Sequence, residues 1–389
     1  MADTRMTSAH DVSWAKAREQ AAALAVALPA ESVAMDQADH RVTAAAVTAL
    51  VDLPTFDSSA MDGWAVCDDG PWTQTGALLA GDWAPAELQP HQAIRIATGA
   101  PVPPGTTGIL RTESAVRAAD GTLSGPTSID DVRLRGEECR AEDVLAEAGV
   151  DLTPALIGLL CAAGHDTVEV VRRPRVRLVL MGDELQDAGL PRPGHVRDAL
   201  GPQLPAWLDR VGAEVVDRRR LNDSRSDLVQ ALTDGDVDLI ISTGGTASGP
   251  LDFVHAAINQ VHGRFIVDRV AVRPGHPMVL ADVGGVPLVA LPGNPQAAVA
   301  GLLTLAFPLI DGLLGRRPRT NQQVTLAEHL NAPDDQTRMV GGVIADDGFR
   351  RSEHAGSAML RGLAASTGYA VIPPGGAAPG ESVQWLPLA

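Results

Sequence analysis

The spacing of apolar positions changes several times along the chain, and each change predicts a different kind of structure. From about residue 11 to 28, Trp14, Ala15, Ala22 and Leu24 recur at helical spacing, and Pro29 ends the run. Residues 41–51 repeat that spacing ahead of Pro54 and predict a second helix. From there to about residue 144, short apolar runs (64–66, 93–97, 108–110, 132–134) are separated by Gly, Pro and Asp clusters, the pattern of a β-rich unit with tight turns. Helix returns over residues 154–163, with Pro154 at a favoured first position and Gly164 as a stop.

From Arg175 onward, short aliphatic strands (176–181, 214–216, 238–242, 287–291) alternate with helical stretches (203–211, 224–233, 252–261 and a long run over 296–314). Ser224 with Asp227 resembles a helix-capping pair. Such alternation predicts a parallel, three-layer α/β body. Residues 322–389 are Gly-rich with short apolar runs and predict a small β barrel or sandwich, while residues 1–10 read as a loose tail.

The length of 389 residues implies two or three domains, and a hydrophobic share of 45% supplies real cores. The net charge of −17 argues against nucleic-acid binding, which needs a basic face, so an anionic ligand requires a local basic pocket or a metal ion. Lys16 is the only lysine, and nearly every cation is an arginine. Cys67, Cys139 and Cys161 lie far apart with no CxxC, which fits a reducing compartment and neither a disulfide framework nor a zinc site. The longest apolar run begins near Ala297 and is interrupted by Pro308 and Asp311, too soon to span a bilayer. Asp11 and Glu19 count against a signal peptide at 21–28, so the expected setting is cytoplasmic.

In an open α/β sheet, ligands bind beyond the carboxyl ends of the strands. Three predicted strands end in unusual loops: Gly182-Asp183-Glu184-Leu185, a Ser/Thr/Gly-rich loop over 242–249, and Leu291-Pro292-Gly293-Asn294-Pro295. The Ser/Thr/Gly loop offers N–H groups and hydroxyls to an anion. Asn294 also stands where a helix N-cap would be, and capping is its plainer role. Asp183, Glu184, Asp223 and Asp252 gather at the same edge and suggest a Mg²⁺ site for a phosphate-bearing ligand. Arg273-Pro274-Gly275-His276-Pro277 adds two potential cations on a stiff turn.

The string Phe56-Asp57-Ser58-Ser59-Ala60-Met61-Asp62-Gly63-Trp64-Ala65-Val66 resembles a signature of the molybdopterin molybdenumtransferases, the MoeA family that includes the E domain of gephyrin. Further family-like segments follow in order: Thr98-Gly99-Ala100-Pro101-Val102-Pro103 with Gly105, residues 135–143, Gly182-Asp183-Glu184-Leu185, residues 242–249 with Asp252, and residues 291–295. The chain departs from the family at Trp64, at Thr246 and Ala247, at Asp198-Ala199-Leu200, and at Arg273 and His276, which stand where the family reads lysines.

The resemblance implies a multidomain fold of α/β plus β parts in an elongated homodimer. Its units would be an extended helical dimerisation domain (11–50 and 145–172), a small β-rich domain (51–144), a three-layer α/β molybdopterin-binding domain (173–318) and a C-terminal β barrel (319–389). It implies insertion of molybdate into adenylylated molybdopterin, releasing AMP, with Mg²⁺ as cofactor. Glu184, Asp223 and Asp252 would hold the metal; Asp57, Asp62, Thr98 and Asp143 would complete the site from the partner subunit. Arg273 and His276 would hold molybdate, helped by Ser357; Ser242, Gly244, Gly245, Ser248, Pro292, Asn294 and Pro295 would line the molybdopterin site. Implied partners are the molybdopterin adenylyltransferase and acceptor molybdoenzymes, with neither nucleic acid nor membrane. Two alternatives stay open: a catalytically weak or inactive paralogue that binds molybdopterin or scaffolds partners, and an enzyme that adenylylates molybdopterin.

Overall fold

The computed structural model describes residues 11–83, 87–246, 253–318 and 320–388. Its centre is a six-stranded sheet in the order Glu214–Leu221, Arg175–Met181, Leu239–Thr243, Val286–Leu291, Val279–Val283, Arg264–Asp268. Side chains alternate along these strands, so Val176, Leu178 and Leu180 face one core while Val179 and Met181 face another. The helix Leu200–Arg210 and the long helix Pro295–Leu313 cover the first face; Arg225–Thr233 and Phe253–Gln260 cover the second. The three expected layers are therefore present.

The sheet is mixed and not, as expected, parallel throughout. Its first four strands are parallel, but Val279–Val283 pairs antiparallel with both Val286–Leu291 and Arg264–Asp268. Gly284 and Gly285, with φ of 61° and 91°, close a two-residue hairpin turn that side-chain-bearing residues resist. Glu214–Leu221 also extends past residue 216, because an edge strand tolerates a charged run that a central one would not.

The segment expected to be an extended helical domain is only partly helical. Its first helix is Trp14–Leu24, capped by Ser13, whose hydroxyl accepts from the Lys16 N–H. Trp14, Ala17 and Ala21 pack into the α/β core, and the Trp14 indole donates to Thr304 Oγ1 at 3.0 Å. Residues 41–51, expected as a helix, run extended. Thr43 is buried, its hydroxyl bonding to Glu147 and Val150, and Val47–Thr48 pairs with Val144–Ala146. Cross-strand pairing of β-branched residues overrides the helical spacing here. The helix Pro154–Ala162 forms as expected, capped by Thr153.

The β-rich unit centres on a five-stranded sheet in which Gly63–Val66 lies between Gly108–Arg111 and Gln92–Ile96. The C-terminal strands run Gln322–Thr325, Ser382–Pro387, Gly368–Ile372, Thr337–Ala345, with Gly348–Arg351 folded onto the last. Where a barrel was expected, the strand pairings form an open path, and a single bridge between its ends joins Leu326 to Phe349 among the described residues. Beyond Thr337–Ala345 the same sheet takes in Val270–Arg273 and Val12–Ser13. That sharing fuses the C-terminal region to the α/β body.

Pro295–Leu313 is, among the described residues, long and apolar enough by composition to cross a membrane, contrary to the expectation from Pro308 and Asp311. Yet 83% of its most apolar window is buried in the protein, as in a core helix. A π turn over Leu302–Ala306 precedes Pro308, so the proline enters where the regular helical ladder is already interrupted.

Candidate active site

A cleft of about 380 Å³ opens where the α/β body meets the C-terminal sheet, and Arg273, His276, Pro292, Asn294, Arg338 and Ser357 line it. Strand pairing explains why two arginines meet. Val270–Arg273 lies parallel to Thr337–Ala345 with Arg273 opposite Arg338 in register. Like charges side by side on a strand pair cost free energy unless an anion separates them.

Each of these basic side chains is also held by a polar partner. Arg273 Nε donates to Gln336 Oε1 at 2.8 Å, and Arg338 Nη1 donates to the Asn331 carbonyl at 2.7 Å. His276 Nε2 lies 2.9 Å from Asp11 Oδ2, which the adjoining strand Val12–Ser13 brings alongside. In a chain of net charge −17, this is a concentrated cationic site. Asn294 occupies the N-cap position, but its side chain makes no capping hydrogen bond, so its amide is available to a ligand. Pro295 begins the helix, and Pro292 lines the same wall.

The glycine-rich loop is described as far as Thr246. Ser242 is wholly buried and its hydroxyl has no partner among the described residues. The Gly244 N–H is committed to the Leu291 carbonyl at 3.0 Å. With φ of 87°, Gly244 passes so close to the Met181 carbonyl that a Cβ would lie 2.8 Å from it. Gly244 and Gly245, both at positive φ, thus bring the strand ends together. Ser248 and Asp252 lie outside the described residues.

At the neighbouring strand ends, Glu184 is exposed and Asp183 Oδ1 accepts from the Asp223 N–H at 3.1 Å. No group of three or more metal-ligating side chains assembles among the described residues. The oxygen-only donors still fit Mg²⁺, which commonly takes one or two carboxylates and completes its shell with phosphate and water.

The remaining candidates cluster in the β-rich unit. Asp62 Oδ1 accepts from both the N–H and the hydroxyl of Thr98, at 2.8 and 3.2 Å. Asp57 Oδ1 accepts from the Arg135 N–H, and Asp143 closes a local turn by accepting from the Arg140 N–H. Asp52, which sequence reasoning missed, sits among them. The Ala141 N–H and the Arg135 guanidinium hold its carboxyl below the ordinary value. All four expected residues are exposed, and no hydrogen bond among the described residues joins them to the cleft.

Three family models match in chain order: the MoeA N-terminal region (domain I and II) over residues 12–164, the probable molybdopterin binding domain over 177–312, and the MoeA C-terminal region (domain IV) over 323–388. A molybdopterin molybdenumtransferase of Haemophilus influenzae is 31% identical over 298 residues, 74% of each chain. The chain belongs to this family. A Staphylococcus aureus member is 27% identical over 351 residues, 84% of each chain. The solved molybdopterin biosynthesis MoeA protein of Pyrococcus horikoshii OT3 shares the fold with a TM-score of 0.82 at 20% identity, over 96% of this chain and 99% of that one.

Arg338 and its neighbour Gln336 were not found from sequence. Nothing local marks them; Arg338 reaches the cleft through pairing with a strand more than sixty residues earlier.

Proposed function

We propose that this chain acts in molybdenum cofactor biosynthesis as a molybdopterin molybdenumtransferase, inserting molybdate into adenylylated molybdopterin and releasing AMP. The observation that carries the reading is the cleft in which Arg273, Arg338 and His276 converge beside Asn294 and Ser357. Molybdate is a dianion with tetrahedral oxygens. With Nε given to Gln336, Arg273 keeps its terminal nitrogens for two of those oxygens, and Arg338 keeps its remaining donors for others. His276, oriented by Asp11, keeps Nδ1 for the ligand. The Asn294 amide and Ser357 hydroxyl supply neutral contacts. Two oriented guanidinium groups thereby compensate for the lysines at positions 273 and 276 of the family pattern.

Glu184 and Asp223, together with Asp183 and Asp252, would hold Mg²⁺ through hard oxygen donors. Bound there, the ion neutralises pyrophosphate charge. Asp57, Asp62, Thr98 and Asp143 are exposed and unconnected to the cleft of their own subunit; we assign them to the site of a second copy in a homodimer. The proposed unit boundaries remain 11–50 with 145–172, 51–144, 173–318 and 319–389, and the proposed setting is cytoplasmic. Catalysis is by positioning and charge neutralisation, with no covalent protein nucleophile.

The test supplies purified protein with adenylylated molybdopterin, molybdate and Mg²⁺. AMP release that depends on molybdate is expected. Tight molybdopterin binding without AMP release would show a scaffold instead, and adenylylation of molybdopterin from ATP would show the opposite half of the pathway.

A further inference from the structure

The geometry points to Gln296 as a positioning residue that holds Ser357 at the oxyanion cleft, an inference that rests on the function proposed above. Gln296 is the second residue of the helix Pro295–Leu313 and is only 3% exposed. The opening N–H groups of a helix have no partner within it, and Pro295 has none to give. The Gln296 N–H is therefore an early donor in need of an acceptor, and it donates to the Ser357 carbonyl at 2.9 Å. Its side chain does the rest. Nε2 donates to the Met359 carbonyl at 2.8 Å and to the His354 carbonyl at 3.3 Å.

These bonds bracket Ser357 from both sides and fix it in the middle. The segment between Ser352 and the short helix Leu360–Ala364 belongs to no strand. Among the described residues, every hydrogen bond that ties it to the α/β body involves Gln296. One buried amide thus joins the two walls of the cleft and sets how far the Ser357 hydroxyl stands from Asn294 and the arginines. Both side-chain donors are spent on carbonyls, so Gln296 does not itself bind the anion. Its role runs through Ser357.

The test measures molybdate-dependent AMP release and melting temperature for wild type, Gln296→Leu, Ser357→Ala and the double variant. Gln296→Leu removes both side-chain bonds and keeps the backbone one; Gln296→Met, of the same length, replaces it if the leucine variant folds poorly. Gln296→Leu is expected to raise the apparent KM for molybdate about tenfold while kcat stays within about twofold. Ser357→Ala should raise KM as well, and the double variant should match Ser357→Ala alone, because a displaced loop without the hydroxyl has nothing further to lose. Additive effects, or a Gln296→Leu variant with lower melting temperature and unchanged KM, would leave Gln296 a purely structural clamp and overturn the inference. A Ser357→Ala variant with unchanged KM would instead remove Ser357 from the oxyanion site, taking the reading of that wall with it.

Discussion

Asp62 and Gly63 show how one short string can carry both structure and chemistry. By composition, Asp-Gly reads as a turn. In the fold, Gly63 starts a strand, and a Cβ there would lie 2.1 Å from the Leu110 carbonyl, so only glycine fits. Asp62 is left at the strand's edge, exposed and bonded to Thr98. Asp62→Asn retains an oxygen for the Thr98 N–H, so the melting temperature should barely change while AMP release falls about a hundredfold; equal losses of both would make Asp62 structural. Arg338→Met should raise the apparent KM for molybdate tenfold or more, at least about 1.4 kcal/mol of binding. Unchanged affinity would remove Arg338 from the site. The carboxylates and the Arg273 and His276 turn were legible as residues, because charged groups beside Gly and Pro carry local signals. Arg338, Gln336 and Gln296 were not, because each gains its role only from what a distant segment brings beside it.

Among the elements, the helix Pro295–Leu313 and the strand Leu239–Thr243 hold the α/β body in register. Thr304, in the π turn, accepts from the buried Trp14 indole and donates to the Ala300 carbonyl at 2.7 Å. Thr304→Val keeps the volume and strands the indole N–H, so denaturant unfolding should show a loss of about 2 kcal/mol; no loss would mean that the indole finds another partner. Asp238, beside the strand Leu239–Thr243, receives both terminal nitrogens of Arg172 at 2.8 Å and the Arg175 N–H at 2.7 Å. Burial pushes its pKa up, but the bonds from Arg172 and Arg175 outweigh that and hold it below the ordinary value. Its stabilisation is therefore complete above the unfolded carboxylate value of about 3.9 and is lost as pH falls through the lower folded value. Asp238→Asn should melt below wild type at neutral pH, by the equivalent of about 2 kcal/mol, and the gap should close as the pH falls through the lowered folded value. A gap that persists into acid would assign the effect to packing.

At the scale of the whole molecule, the active site is proposed to be divided between two copies. Mixing Asp62→Asn with Glu184→Gln subunits should then restore activity. In a random mixture half the dimers are mixed and each regains one intact site, so about a quarter of wild-type AMP release is expected. Proven mixed dimers that stay inactive would place the site within one chain. Arg316 is the corresponding staple inside a subunit. Its side chain is 4% exposed and pairs with Asp151 and Asp311 while donating to the Val211 carbonyl, tying residues 145–172 to the α/β body. Arg316→Met should cost about 1–2 kcal/mol, read by denaturant unfolding, because it leaves the Val211 carbonyl unpaired while the half-exposed Asp151 and Asp311 carboxylates turn to water.

The amino-acid order by itself determined the layers, most strands and helices of the α/β body, the β texture of residues 51–144, and the motifs that mark the family. Those features follow from side-chain period and from Gly, Pro and Asp punctuation, which act within a few residues. Tertiary structure alone decided that residues 41–51 run extended, that the hairpin at Gly284 and Gly285 makes the sheet mixed, and that Trp14–Leu24 joins the α/β core. It also decided the make-up of the cleft, where Arg273, Gln296, Arg338 and Ser357 come from segments far apart in the chain and Asp11 reaches the cleft residue His276. Strand pairing and buried hydrogen bonds between distant residues depend on the closed fold, and no local period encodes them.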